Sequence, residues 1–156
     1  MEKIKDKNEL NEALLNAFYL ERDYELVQQY KNSLNIPKEW EKLLLILSLE
    51  SKEHEDVLYE IIKGFKNFKQ PEKTRTFKIL NFNFEKLNDE RIYELLIETE
   101  KKMEKLYEEI YNRTDEKDIV NNFSYSLSLF FWSIKSLAKA EKEHQELINS
   151  YYLSIK

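Results

Sequence analysis

The sequence of 156 residues contains no cysteine, one glycine and two prolines. Without cysteine the chain can form no disulfide, thiolate zinc site, iron–sulfur cluster or cysteine nucleophile. Any bound metal must therefore be held by nitrogen and oxygen. Because glycine and proline are scarce while Glu, Lys, Leu and Ile dominate, the composition predicts long helices with few breaks. We expect an all-α protein in which residues 1–156 form a single domain.

The sequence also lacks a strong excess of either positive or negative charge. The 25 basic and 30 acidic residues give a net charge of −5 and are mixed along the chain. No basic stripe of the kind that nucleic-acid binding requires is present. No apolar run approaches the ~18 residues of a membrane span, and the first residues, MEKIKDKNEL, lack the apolar core of a signal peptide. We expect a cytoplasmic protein with no nucleic-acid or membrane partner.

Apolar residues recur at helical spacing in four segments. The predicted helices run from an N-cap at Asn8 to about Asn35, from Pro37 to Gly64, from about Asn88 to Asn112, and from about Asp118 to near Leu153. Residues 66–87 have no long helical period and form the longest connection. If the two short turns join antiparallel pairs, one long crossover between helices 2 and 3 gives a four-helix bundle of ferritin-like topology.

Each predicted helix places a polar side chain in its apolar stripe near its midpoint: Glu21, His54, Glu100, and the pair Glu141 and His144. In an antiparallel bundle these midpoints share one level. A carboxylate in a core costs several kcal/mol unless it is paired or binds a metal. Two divalent ions bring four positive charges that offset such a cluster. The pattern therefore predicts a dinuclear metal site, although a single histidine in such a stripe is more often a hydrogen-bonded core residue.

The Glu-x-x-His motif of "AEKEHQEL", with "FYLERDY" and "IETEKKMEKLY", resembles the ferritin-like di-iron carboxylate family, particularly its rubrerythrin-like members. The family pattern is one Glu on helices 1 and 3 and Glu-x-x-His on helices 2 and 4. The resemblance implies that Glu21 and Glu100 are terminal ligands, that Glu141 bridges the ions and that His144 binds one of them. It covers the helical plan of nearly the whole chain, but its specific motifs amount to about half a dozen residues.

Helix 2 departs from the family pattern. "SLESKEHEDVL" contains His54, but Ser51 stands three residues earlier, where the family has its second bridging Glu. Glu50 is the natural substitute, because spacing i, i+4 places it near the face of His54, whereas Glu53 points elsewhere. The departure leaves a mononuclear or asymmetric site as an alternative to the dinuclear one.

The resemblance implies two bound irons, with manganese, zinc or a single ion as alternatives, and peroxide or oxygen reduction or ferrous iron oxidation. Because the cysteine-free chain has no rubredoxin module, an external electron donor would be needed. The competing hypothesis is a metal-free helical scaffold that acts as a protein-interaction module, for which Ser51 is the main support.

Aromatic residues are the remaining feature of the sequence. The segment "FSYSLSLFFW" is typical of core packing or of a subunit interface, and we expect a homodimer. We interpret Tyr24, Tyr107 and Tyr151 as core aromatics with solvated hydroxyls rather than redox relays.

Overall fold

The computed structural model describes residue 4 and residues 6–74, 76–80 and 82–156. Over these residues the protein is all-helical, without β-strands, and this confirms the predicted class. The α-helices are α1 (Lys7–Gln29), α2 (Glu41–Gly64), α3 (Asp89–Arg113), α4 (Glu116–Asn122) and α5 (Leu127–Ile155), and a 3-10 turn (Lys38–Trp40) precedes α2.

The first helix differs from its prediction at both ends. Its N-cap is Asp6, whose carboxylate accepts a hydrogen bond from the backbone N–H of Glu9 at 2.9 Å, so Asn8 already lies inside the helix. The helix ends at Gln29 rather than near Asn35, and turns follow up to Asn35, which adopts a left-handed φ of 54°. Asparagine tolerates this conformation better than most residues. The backbone thereby turns so that the Leu34 carbonyl accepts from the Phe84 N–H at 3.2 Å.

The predicted fourth helix is in fact two helices, α4 and α5. Between them the N–H of Ser124 donates to the Gly64 carbonyl at 2.8 Å, and Ser126 caps α5 by accepting from the Leu129 N–H. A Cβ on Gly64 would lie 2.6 Å from the Phe123 ring, closer than side-chain atoms normally approach. The break therefore depends on a glycine distant in sequence, at the end of α2.

The four long helices pack as two pairs, α1 with α2 and α3 with α5, and the pairs meet through α1–α3 and α2–α5 contacts. The Trp40 indole donates to Asp89 at 2.8 Å, so α2 and α3 begin at the same end of the bundle. Tyr151, near the end of α5, donates to the Glu39 carbonyl at that same end. The end of α2 and the start of α3 therefore lie at opposite ends of the bundle, and the described residues between 65 and 88 connect them.

This long connection is fastened to α1. The carboxylate of Asp23, fully buried, accepts the backbone N–H groups of Lys78, Ile79 and Leu80 at 2.7 to 2.9 Å. Nearer the other end of the connection, Asn11 exchanges two hydrogen bonds with the backbone of Lys69. Because one carboxylate accepts hydrogen bonds from three backbone donors, Asp23 holds the described part of this segment in a defined course.

The segment FSYSLSLFFW divides between the core and the surface. Phe123 and Phe130 are buried, whereas Tyr125, Leu129 and Trp132 are exposed on an apolar cleft beside α2. Over the described residues, no helix combines the length and apolar character needed to cross a membrane.

Candidate metal centre

Five polar side chains from all four long helices meet in the middle of the bundle. They are Glu21 of α1, His54 of α2, Glu100 of α3, and Glu141 and His144 of α5, which together we call the central cluster. The three carboxylates and His144 are buried, and His54 is 13% exposed. The structure thus brings together five of the six residues that the sequence predicts as metal ligands.

The first half of the central cluster joins α1, α2 and α5. His54 Nδ1 lies 3.2 Å from Glu21 Oε1 and 3.0 Å from Glu141 Oε1. One ligand atom from each of these residues falls within 4.8 Å of the others. Two carboxylate oxygens and an imidazole nitrogen therefore converge on one position.

The second half joins α3 and α5. His144 Nδ1 lies 3.2 Å from Glu100 Oε2 and 3.3 Å from Glu141 Oε2. Glu141 consequently presents one oxygen to each half. This follows from the Glu-x-x-His spacing, which sets Glu141 and His144 one turn apart on the inward face of α5.

Glu50 lies at the edge of this arrangement. Its carboxylate contacts Nε2 of His144, the nitrogen that faces away from the other carboxylates, and its side chain is 46% exposed. It belongs to neither half of the central cluster. Glu50 as a direct ligand therefore stays a prediction, while its observed position suits a residue that orients the imidazole.

Three polar oxygens at the centre lack a hydrogen bond of normal geometry: Glu21 Oε2, Glu141 Oε1, which forms an ion pair with the His54 imidazole at 3.0 Å, and the hydroxyl of Tyr24, which faces Glu100. Each belongs to a residue with no exposed surface. A buried polar atom without a partner costs roughly 1–3 kcal/mol, and more when it is charged. Glu141 Oε1 has only the nearby His54 imidazole to offset its charge. The protein's own side chains therefore do not provide all the hydrogen-bond partners that the buried oxygens of the central cluster need.

Two tyrosines border the central cluster, and here the prediction of solvated hydroxyls is wrong. Tyr107 is buried and donates its hydroxyl proton to Glu21 Oε1 at 2.5 Å. Burial raises the pKa of Tyr107 well above its usual value, and the negative charge of Glu21 adds to this. The pKa of Tyr24 is raised in the same way by burial and by Glu100. Both tyrosines remain protonated, neutral neighbours of the carboxylates.

Electrostatics in the metal-free protein favour positively charged imidazoles. Burial lowers the pKa of His54, but Glu21 and Glu141 outweigh burial and raise it to about 10. The pKa of His144 is raised to about 11, since Glu100 and Glu141 likewise outweigh burial. Burial and the adjacent Glu141 raise the pKa of Glu100 to about 8, against the opposing effect of His144. Protons thus supply the positive charge that the carboxylates require.

Another buried acidic residue, Glu55, was not identified from the sequence. It is fully buried beside His54 in sequence, and its Oε2 lies 3.5 Å from the Arg22 guanidinium, which also pairs with Glu25 at 2.6 Å. Burial and Glu25 raise the pKa of Glu55 to about 8, although Arg22 opposes them. Its inward position follows from the spacing i, i+4 after Ser51.

The donor set is chemically suited to metal ions. Imidazole nitrogen and carboxylate oxygen bind iron, manganese and zinc. Four carboxylates (Glu21, Glu50, Glu100 and Glu141) carry four negative charges, which two divalent ions would balance with both histidines neutral. Metal would then replace the protons that the central cluster holds in the metal-free protein.

Comparisons with known proteins give no relative for this chain. No family model, no curated protein and no solved structure matches it. The central cluster is therefore interpreted from its own geometry and chemistry.

Proposed function

We propose that this protein binds two metal ions, preferentially iron, in the central cluster. The observation that carries the proposal is the position of Glu141, a fully buried carboxylate that presents one oxygen to each of two histidine–glutamate groups. A structural salt bridge would need only one such group. A carboxylate shared by two similar donor sets is typical of a bridge between two cations.

In this proposal Glu21 and His54 would hold one ion, Glu100 and His144 would hold the other, and Glu141 would be available to both. Each imidazole offers Nδ1, and the contact of Glu50 with the outer nitrogen of His144 fixes that ring. Manganese or zinc would suit the same donors, and a single ion would use one half of the central cluster.

The helical arrangement supports a ferritin-like topology. The α1–α2 and α3–α5 pairs, together with a connection that runs the bundle's length, are the features of that topology. The corresponding family proposal is that the chain is a rubrerythrin-like di-iron carboxylate protein.

We assign the site to peroxide or oxygen reduction or to ferrous iron oxidation. A pair of ferrous ions would supply the two electrons that reduce hydrogen peroxide, which with two protons gives two waters. The chain's own residues would hold the ions in a dry interior, and Tyr107 would hold a proton against Glu21. Because the chain has no cysteine to bind an iron–sulfur cluster, an external electron donor is part of the proposal, as is a homodimeric assembly.

One observation favours a second function. Ser51, buried on the inward face of α2, stands where a second bridging carboxylate would complete the pattern. A bundle that had lost its metal would serve as a helical scaffold in protein interactions, and its charges would be balanced by protonated His54 and His144 alone.

Substitution of the shared carboxylate or of His144 distinguishes a metal-binding protein from a metal-free scaffold. Glu141→Ala and His144→Ala should lose bound iron and lose the rise in Tm that iron confers on the wild type, because a ligand that binds only the folded state stabilises it. Glu143→Ala, an exposed residue on the same helix, is the matched control and should keep both. A metal-free scaffold would show no iron-dependent Tm in any of these proteins.

A further inference from the structure

An open cleft with mostly apolar walls lies on the surface where α2 ends and α5 begins. It has a volume of about 460 Å³. Val57 and Ile61 of α2 line one side, Leu129 and Trp132 of α5 line the other, and Tyr125 contributes from the turn before α5. We call it the apolar cleft. It is separate from the central cluster, since none of the five cluster residues lines it.

The aromatic side chains of the apolar cleft project from the protein. Trp132 is 69% exposed and Tyr125 is 49% exposed. A small-molecule site typically encloses most of its ligand, whereas these rings stand largely in solvent. Exposed tryptophan and tyrosine beside other apolar residues are typical of protein–protein interfaces, where both are enriched at the positions that matter most for affinity. The apolar cleft therefore suits a large partner better than a small ligand.

The α2 side of the apolar cleft also carries negative charge. Asp56 and Glu60 are exposed, line the cleft and lie one turn apart. Asp56 already pairs with Lys52 at 2.5 Å and lies 4.0 Å from Lys73. Glu60 forms no ion pair with any residue in the described part of the chain. Its carboxylate is thus available to a cation from outside.

An aromatic wall that faces a carboxylate has the chemistry that binds arginine or lysine. Both side chains have an apolar stem that packs on apolar surface and a charged end. A guanidinium also stacks on tryptophan and pairs with a carboxylate. In the apolar cleft, Trp132 supplies the ring and Glu60 the carboxylate.

The same charge disfavours other occupants. A second copy of the chain, docked by the same face about a two-fold axis, would bring Glu60 and its counterpart onto one small surface, where like charges repel. Anionic lipid headgroups would be repelled for the same reason. A basic protein segment is the occupant that both the apolar walls and the acidic rim favour.

We propose that the apolar cleft binds an amphipathic helix of a partner protein. Its apolar face enters the cleft, and arginine or lysine residues beside that face pair with Glu60 and contact Trp132. Grooves between packed helices commonly bind partners in this way. The inference requires no metal in the central cluster and applies equally to a metal-binding protein and to a metal-free scaffold.

The test titrates two labelled synthetic helical peptides against the full chain and follows fluorescence anisotropy. Both peptides carry the same face of leucines, which is flanked by arginines in one and by glutamates in the other. The arginine peptide should bind at least about tenfold more tightly, and added salt should reduce the difference because it screens exposed charges. Equal affinities, or no binding of the arginine peptide, would overturn the inference.

Surface substitutions locate the binding site. Trp132→Ala and Glu60→Lys should each weaken binding of the arginine peptide by about fivefold or more. Leu153→Ala, at an exposed apolar position elsewhere on α5, and Glu98→Lys, at an exposed acid on α3, are the matched controls. Both should stay within about twofold of the wild type. Unchanged affinity in Trp132→Ala or Glu60→Lys would overturn the inference.

Sedimentation of the protein without peptide tests the competing occupant. Trp132→Ala should have the same oligomeric state as the wild type, as expected if no second copy covers the apolar cleft. A wild-type dimer that Trp132→Ala converts to a monomer would show that a second copy occupies it, and the inference would be wrong.

Discussion

The imidazole rings of His54 and His144 lie nearly parallel, with 5.5 Å between their centroids and 19° between their planes. They come from α2 and α5, and each turns Nδ1 toward Glu141. Two protonated imidazoles at this separation repel each other, so the surrounding carboxylates must hold them in place. The same arrangement with neutral rings would offer two nitrogen ligands to two ions.

Stability of the metal-free protein should depend on pH through these histidines. In the unfolded chain histidine has a pKa near ~6.5, whereas the folded values are raised to about 10 and about 11. The folded state therefore binds more protons between these values, and the free energy of unfolding falls as pH rises. Glu100, with its pKa raised to about 8, acts in the same direction from about pH 4.5 to 8.

The measurement is chemical unfolding in the presence of a chelator from pH 6 to 10. We expect the highest stability at the acidic end of this range and a continuous decline above about pH 6.5. A free energy of unfolding that rises between pH 7 and 9 would contradict the assignment. Because metal must displace these protons, its apparent affinity should rise over the same range.

The two buried tyrosines should respond in opposite ways to removal of the hydroxyl. Tyr107→Phe removes a hydrogen bond to the Glu21 carboxylate and should lower the free energy of unfolding of the metal-free protein by about 1.5–3 kcal/mol. Tyr24→Phe removes a buried hydroxyl that faces Glu100 without a hydrogen bond of normal geometry and should be neutral or stabilise by about 1 kcal/mol. Urea unfolding measures both. An equal loss of unfolding free energy in the two variants would contradict the different hydrogen bonding of the two hydroxyls in the structure.

Glu50→Gln distinguishes an orienting residue from a ligand. The amide still accepts a hydrogen bond from the outer nitrogen of His144 but loses the charge, so the protein should keep two ions with affinity weakened about tenfold. Loss of one ion per chain would instead make Glu50 a direct ligand. Glu53 is an exposed neighbour that lines a smaller cleft between α2 and α5 together with Glu50. Glu53→Gln is therefore the control, and its metal affinity in isothermal titration should equal that of the wild type.

Asp23 should be required for the course of the long connection. Asp23→Ala leaves three backbone N–H groups without their acceptor and should cost about 3 kcal/mol or more. Limited proteolysis should then cleave between residues 66 and 87 faster than in the wild type. Glu12→Ala, an exposed substitution on the same helix, should change stability by less than about 0.5 kcal/mol. Unchanged proteolysis in Asp23→Ala would show that other contacts hold the segment.

Periodicity predicted the long helices and the mid-helix polar residues because both depend on spacing within one helix. The meeting of Glu21, Glu100 and Glu141 follows once the helices are antiparallel. The break before α5 could not be predicted in this way, since it depends on the contact of Gly64 with Phe123 across the fold. The outward position of Glu50 depends on helix rotation, which residue spacing alone does not determine.

The burial of the tyrosine hydroxyls could not be predicted for a related reason. A tyrosine near a core usually reaches solvent with its polar end. Tyr24 and Tyr107 instead point toward carboxylates whose position becomes known only when the helices are packed. The same holds for Asp23, whose partners lie about 55 residues away in a segment without helical period.

The most direct test of the two-metal centre is an anaerobic ferrous titration of the full chain, purified without a metal-affinity tag and stripped with a chelator. Iron bound at equilibrium would be counted by elemental analysis, and exposure to peroxide would be followed by near-ultraviolet absorption. We predict two irons per chain and the absorption of an oxo-bridged ferric pair. A chain that takes up no iron, and shows no such absorption, would contradict the metal centre and leave the helical scaffold.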